Sequence, residues 1–323
     1  MTSGRREADP DLVADIGGTN IRFALVRPGG APERIAALAC ADYPSPGAAL
    51  EAYLSGLQSP ERPRRAVFAV AAPVTGDRVR LTNHAWDFST ADLRRDFGLE
   101  RLDIMNDFTA IAIGLPDLTG GDLHQIGGGR PVADAPRAVL GPGTGLGVSG
   151  LLPTPSSGVA LTGEGGHVTM AAANDRESAV LSALRRDGHV SAERVLSGDG
   201  LVRLYRALSD LDGAPPEPLG PADVTARAAR NACPRCTAAW KMFCAMLGTV
   251  AADLALTLGA HGGVFIAGGI VPAHVEIFAA DLFRRRFEDK GRYATYLAAI
   301  PTHVITHPHP AFVGMSRYLA GQD

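Results

Sequence analysis

The 323 residues are 46% apolar and 20% charged, a globular composition on a chain long enough for two domains of ordinary size. A formal net charge of −3 withholds the basic excess that nucleic-acid binders use to neutralise phosphates. The polar stretch 1–11 offers no apolar run for export, and Ala245 to Ala260 is interrupted by Thr249, Asp253 and Thr257. A soluble cytoplasmic protein with reduced thiols and no membrane partner is expected.

In chain order, Leu12 to Val26 predicts two strands around the turn Gly17-Gly18-Thr19-Asn20, with Ile21, Phe23 and Leu25 alternating to one side of the second. Ser45 to Leu57 has helical spacing, and Ala66 to Val74 is the near-continuous apolar run of a strand buried on both faces. Leu102 to Met105 predicts a short strand, after which Asp107 opens a helix that Pro116 closes. A second glycine-rich hairpin, Ala138 to Leu152, repeats the plan of the first around Gly141-Pro142-Gly143-Thr144-Gly145, a weak internal duplication. Helices are expected over Ser178 to Arg186, Gly200 to Ser209 and Ala238 to Leu258, with a loop over Leu211 to Pro221. Gly262 to Ile270 reads as a buried strand ending in Gly268-Gly269, followed by a helix from about Ala273 to Phe287. A strand over Thr302 to Thr306 and a short helix over Val313 to Leu319 complete the chain. Strands alternating with helices make this an α/β protein.

Glycine turns bring successive backbone N–H groups onto an anion, because glycine reaches φ values closed to other residues. Gly17 and Gly18, with the neutral donors Thr19 and Asn20, suit that purpose, and Asp15 at the strand end suits Mg²⁺ held through water. Gly141, Gly143, Thr144 and Gly145 have the same chemistry, although each segment also reads as a plain hairpin turn. Gly145 to Gly150 matches GxGxxG, but Gly150-Leu-Leu-Pro153 continues as strand where a dinucleotide site needs a helix. Neither lysine, Lys241 or Lys290, stands in a P-loop or a protein-kinase setting.

Asn106-Asp107 at a helix start has two readings. It is an ordinary N-cap, or a carboxylate held ionised by the helix N-terminus and able to take a proton from a hydroxyl. Glu164 and His167 on a glycine loop suit several hydroxyl groups of a sugar, and Glu193 adds a carboxylate ahead of a glycine-led helix. Gly268-Gly269 would let a flat purine lie against backbone. Cys233 and Cys236 have CxxC spacing, but no second pair at a familiar distance completes a zinc site.

Together and in this order the segments resemble the bacterial ATP-dependent glucokinase family, of the hexokinase and actin-like ATPase superfamily, from Leu12 to about Leu319. Thr82-Asn83-His84 with Trp86 and Phe88, Phe287 to Arg292, and Cys233-Pro-Arg-Cys236 belong to the same likeness. The resemblance implies a two-lobed actin-like ATPase (ribonuclease H-like) fold with a central cleft. Residues 1–115 with 307–323 would form a small α/β domain, and residues 116–306 a large one.

The resemblance also implies phosphorylation of glucose at the 6-hydroxyl by Mg·ATP through in-line transfer. Asp107 would be the general base, and Asn83, Asn106, Asp107, Glu164, His167 and Glu193 the sugar ligands. Asp15, Gly17, Gly18, Thr19 and Asn20 would form the first phosphate motif and Gly141, Gly143, Thr144 and Gly145 the second. Gly268 and Gly269 would form the adenosine motif, ATP and Mg²⁺ the cofactors, and a homodimer the assembly. Regulators and kinases of the repressor–open-reading-frame–kinase group carry a zinc-binding Cys cluster after a Gly-His segment, whereas Val-Thr-Met-Ala-Ala follows His167. A sugar-responsive transcription regulator would need a helix-turn-helix ahead of the strand at Leu12.

Overall fold

The computed structural model describes residues 9–57, 62–82, 84–154, 158–278 and 282–322. Two compact units divide the chain. One gathers Met1–Leu118, Ser156–Thr162 and His307–Asp323, the other Thr119–Pro155 and Gly163–Thr306.

The first unit opens with β1 (Asp11–Ile16), β2 (Asn20–Val26), β3 (Glu33–Ala39), α1 (Pro46–Gly56), β4 (Arg65–Val70), β5 (Arg78–Arg80), β6 (Asp87–Ser89), α2 (Thr90–Asp96), β7 (Arg101–Asn106) and α3 (Asp107–Gly114). Its main sheet runs β3-β2-β1-β4-β7. The first three strands are antiparallel, and β1, β4 and β7 are parallel. Leu12, Ala14 and Ile16 of β1 and Ala66 to Val70 of β4 are fully buried, as central parallel strands require. Arg65 Nε and Nη2 donate to the two Asp11 oxygens at 2.9 and 2.7 Å, clamping the sheet at the opposite end from the glycine turn. Ile16, Val70 and Asn106 stand in one row of the register. That row puts the turn after β1 and the Asn106–Asp107 step at the same carboxyl-end edge, roughly 10 Å apart, two strand spacings.

The second unit continues with β8 (Leu123–Ile126), β9 (Arg137–Pro142) and β10 (Leu146–Leu152); β11 (Val159–Ala160) clusters with the first unit. Then come α4 (Asp175–Leu184), α5 (Ala192–Val195), α6 (Gly198–Leu211), α7 (Pro221–Ala229), α8 (Pro234–Leu258), β12 (Val264–Ile266), α9 (Val275–Phe278), α10 (Leu282–Glu288), α11 (Ala294–Ala298) and β13 (Thr302–Ile305). The strands of this unit run β10-β9-β12-β13-β8, with β9, β12 and β13 parallel and β10 folded back antiparallel on β9. A hairpin around a glycine turn joined to parallel strands is thus the plan of both units.

The 25-residue α8 is long and apolar enough to cross a membrane by length and composition. Its buried residues, among them Trp240, Phe243 and Met246, belong to the core of the second unit. Gly259, in the left-handed conformation at φ 62°, ends it. Glu177 on α4, 2% exposed, accepts from Arg286 of α10 at 2.8 and 3.2 Å, and Arg286 also donates to Thr249 of α8 at 3.2 Å. Removing one partner of such a buried pair leaves the other uncompensated.

The last helix, α12 (Pro310–Ala320), packs on α3 in the first unit. They meet where both carry glycine: a Cβ on Gly114 would lie 2.7 Å from Gly314 N, and one on Gly314 1.7 Å from Ala110 O. Only bare backbone fits. Gly314→Ala is therefore expected to cost about 3 kcal/mol, the upper end for overpacking, read as a lower midpoint in thermal unfolding; Gly321→Ala on the same chain, whose added methyl meets nothing closer than 3.6 Å, is the control.

Candidate active site

At the first turn, Gly17 N donates to Asn20 O at 3.0 Å, and Cys40 N donates to Thr19 O at 2.9 Å. Asp15, the last residue but one of β1, faces Arg22 across the hairpin, with Nη1 to Oδ2 at 3.4 Å. Burial raises the Asp15 carboxyl above its ordinary range, and the Arg22 charge opposes that shift. Sequence reasoning passed over Arg22, although the two-residue alternation of the hairpin already places it opposite Asp15.

The second turn is held from several sides. Gly143 N donates to Gly145 O at 2.8 Å, and the Gly198 N–H at the start of α6 donates to Gly143 O at 2.9 Å. The Leu146 N–H, just past the turn, donates to Glu193 Oε2 at 2.8 Å. A Cβ on Gly145 would sit 2.5 Å from that oxygen. Gly268, after β12, takes φ 85° and lies so close that a Cβ there would be 2.4 Å from Pro142 O; one on Gly141 would be 2.4 Å from Ala267 C. Above Gly269 a Cβ would meet nothing within 4 Å.

These contacts revise the reason for the glycines. None of Gly17, Gly18, Gly141, Gly143 and Gly145 lies in the left-handed region; Gly268 does. The second turn needs glycine because backbone or a carboxylate occupies the space of a side chain.

Asn106 is the N-cap of α3: its Oδ1 accepts from Phe108 N at 2.9 Å and Thr109 N at 3.2 Å. Asp107 is the first residue of that helix, half-buried, with Oδ1 accepting from Phe108 N at 3.0 Å. The cap reading therefore holds for Asn106 oxygen, while its amide NH₂ keeps donor capacity. Asn83 lies outside the described residues.

In the second unit, Gly165–His167 form a single 3₁₀ turn whose preceding residue is Glu164, and Glu164 and His167 are both exposed. A Cβ on Gly166 would lie 2.1 Å from Leu146 O. Glu193 stands in the one-turn α5, capped by Ser191 Oγ. The structure thus brings Glu164, His167 and Glu193 onto the start of β10, beside Gly143 to Gly145. Leu146 escaped sequence reasoning because it contributes only backbone.

Cys233 caps α8, accepting from Cys236 N at 3.4 Å, and all four cysteines are free and buried. Burial works against a Cys233 thiolate, but hydrogen bonds from Cys236 and the Arg235 amide outweigh it and hold Cys233 below the ordinary thiol range; burial raises Cys236. Among the described residues no group of three or more His, Cys, Asp or Glu could hold a metal ion. Asp15 is a hard oxygen donor, the chemistry that suits Mg²⁺ when its other ligands are water and phosphate.

The family model described as Glucokinase matches residues 12–322. A glucokinase of Paramagnetospirillum magneticum is 53% identical over 307 residues, 94% of this chain and 96% of that protein. A glucokinase of Aromatoleum aromaticum is 50% identical over 321 residues, 99% of this chain and 97% of that one. The crystal structure of a glucokinase from an Antarctic psychrotroph superposes with a TM-score of 0.86 at 37% identity, covering 97% of this chain and 99% of that one.

Asn106→Ala, which removes the acceptor from two helix N–H groups, is expected to cost about 1 kcal/mol of stability, and Asn106→Asp, which keeps a capping oxygen, much less. Denaturant unfolding of the three proteins checks the order.

Proposed function

The chain belongs to the glucokinase family, with the α/β fold of the actin-like ATPases, and is a kinase that phosphorylates glucose; we propose that it moves the γ-phosphoryl group of Mg·ATP onto the 6-hydroxyl with Asp107 as general base. The observation that carries this is the carboxyl-end edge of the first sheet. There the turn after β1 and Asp107 stand two strand spacings apart, one suited to phosphate and the other to a hydroxyl proton.

Asp107, as the first residue of α3, is favoured as carboxylate by the helix N-terminus. Oδ1 is engaged by Phe108 N–H, which orients the carboxylate to accept the 6-hydroxyl proton as the oxygen attacks phosphorus. Asn106 positions that step by fixing the helix start and offers its amide N–H to a neighbouring hydroxyl. Asn83 is proposed as a further ligand on the strength of the family likeness. In the second unit Glu164 and Glu193 accept from sugar hydroxyls, and His167 exchanges a hydrogen bond with one.

The turn Gly17 to Asn20, closed by the bond from Gly17 N–H to Asn20 O, and the turn Gly141 to Gly145, closed by the bond from Gly143 N–H to Gly145 O, receive the phosphates through their other N–H groups and the hydroxyls of Thr19 and Thr144. Preorganised donors of this kind are the main means by which proteins assist phosphoryl transfer. Gly268 and Gly269 present bare backbone to the adenosine. Asp15 would hold Mg²⁺ through water, and the ion would neutralise phosphate charge when bound. The two units are proposed as the two domains of the enzyme, a cytoplasmic homodimer.

Asp107→Asn is expected to keep the fold and glucose affinity and to lose at least about a hundredfold in kcat, the low end for a general base. A coupled assay for glucose 6-phosphate, beside a glucose titration followed by tryptophan fluorescence, measures both. Near-normal turnover would remove Asp107 from the base role.

A further inference from the structure

Two segments read as carrying sugar ligands rest on the backbone of one residue, Leu146, which follows the second phosphate turn. Leu146 N–H donates to Glu193 Oε2 at 2.8 Å. The carbonyl of the same residue is in contact with the Glu164–His167 turn, where a Cβ on Gly166 would come within 2.1 Å of it. On the other side of the turn Gly198, five residues after Glu193, holds Gly143 O at 2.9 Å. Gly145 lies against the carboxylate itself: its missing Cβ would be 2.5 Å from Oε2 but 4.0 Å from Oε1. One Glu193 oxygen is thus committed to the turn, and the other is directed away from it.

We propose that Glu193 is a positioning residue for the phosphate turn as well as a sugar ligand, so that glucose and nucleotide affinities are coupled through its bond to Leu146. The inference rests on the reading of Glu193 as a ligand of glucose. The physical route is side-chain order. A free glutamate has several rotamers, and a sugar hydroxyl that donates to Oε1 selects the one whose Oε2 already holds the Leu146 amide. Nucleotide then meets a turn that is fixed in advance, and by linkage the sugar gains by the same factor. Gly145, although it belongs to the phosphate turn, becomes a determinant of sugar affinity: any side chain there displaces the carboxylate.

The test is calorimetric titration of the full chain with glucose alone, with Mg·ADP alone, and with Mg·ADP at saturating glucose. In the wild type glucose is expected to tighten Mg·ADP about fivefold or more, the low end of ordinary coupling. Gly145→Ala is expected to weaken glucose roughly tenfold with no nucleotide present. Glu193→Ala is expected to weaken Mg·ADP roughly tenfold without glucose, the loss of one hydrogen bond to a charged group, and to abolish the coupling. Glu193→Gln, whose amide oxygen still accepts from Leu146, should restore most of the Mg·ADP affinity, which a merely structural role for the carboxylate would not predict.

Thermal unfolding first establishes that each variant is folded; if Gly145→Ala is not, the Glu193 pair decides alone. Wild-type Mg·ADP affinity in Glu193→Ala, with glucose weakened, overturns the positioning role and leaves the sugar reading standing. Wild-type glucose affinity in Glu193→Ala overturns the sugar reading and the coupling with it. Unchanged glucose affinity in a folded Gly145→Ala overturns the coupling.

Discussion

The contact between two backbones, at Gly141 and Gly268, is the constraint on which the second unit's site depends. Parallel pairing of β9 and β12 brings both strand ends to one edge, and Ala267 N and Ile270 N continue that pairing onto Leu140 O and Pro142 O at 2.9 and 3.2 Å. At this distance neither glycine tolerates a Cβ. The turns proposed for phosphate and for adenosine are consequently one piece of bonded backbone rather than two loops, with a spacing set by strand pairing. A cradle made this way has little rotamer entropy to lose when a ligand arrives, and its precision comes from the sheet.

The same plan serves different chemistry in the two units. Each has a glycine-turn hairpin beside parallel strands. In the first, a charged pair, Asp15 with Arg22, is built across the hairpin, and β7, two strands from β1, runs directly into the helix that begins with Asp107. In the second, the turn is neutral and is gripped by Glu193 and Gly198. The two hairpins thus share a backbone plan and differ in the side chains that surround the turn.

Much of this was legible in the sequence, and what was not has physical causes. The hairpin at Asp11 to Val26 and the buried β4 announce themselves by period and by continuous apolarity. The edge strand β3 does not: Glu33 to Ala39 mixes alanines with charge and carries no clear alternation. The short β5 and β6 owe their pairing to partners rather than to pattern. Where a helix is expected from Ala273 to Phe287, the described residues form a 3₁₀ turn at Pro272–His274, then α9 to Phe278, and α10 from Leu282. The loop expected to end at Pro221 does so because that proline is the first residue of α7. For the candidate site, the settings of Asp15, Asn106, Asp107, Glu164, His167 and Glu193 marked them as candidates, and the family likeness supplied their expected roles. The backbone partners could not be read this way, because Leu146 N–H and Gly143 O have no side-chain signature.

The glycine crossing of α3 and α12 bears on how the protein comes into being. Arg317 of α12 also pairs with Asp117, a residue 200 positions earlier. The helix that begins with Asp107 is translated about 200 residues ahead of the α12 surface it packs on. During synthesis the second unit has all its residues before the first unit does. A nascent chain stalled ahead of Pro310 would hold the whole of the second unit and an α3 whose small-residue face lies open to water or to a chaperone. Emergence of α12, rather than the appearance of Asp107, is then the event that packs α3 into the first unit.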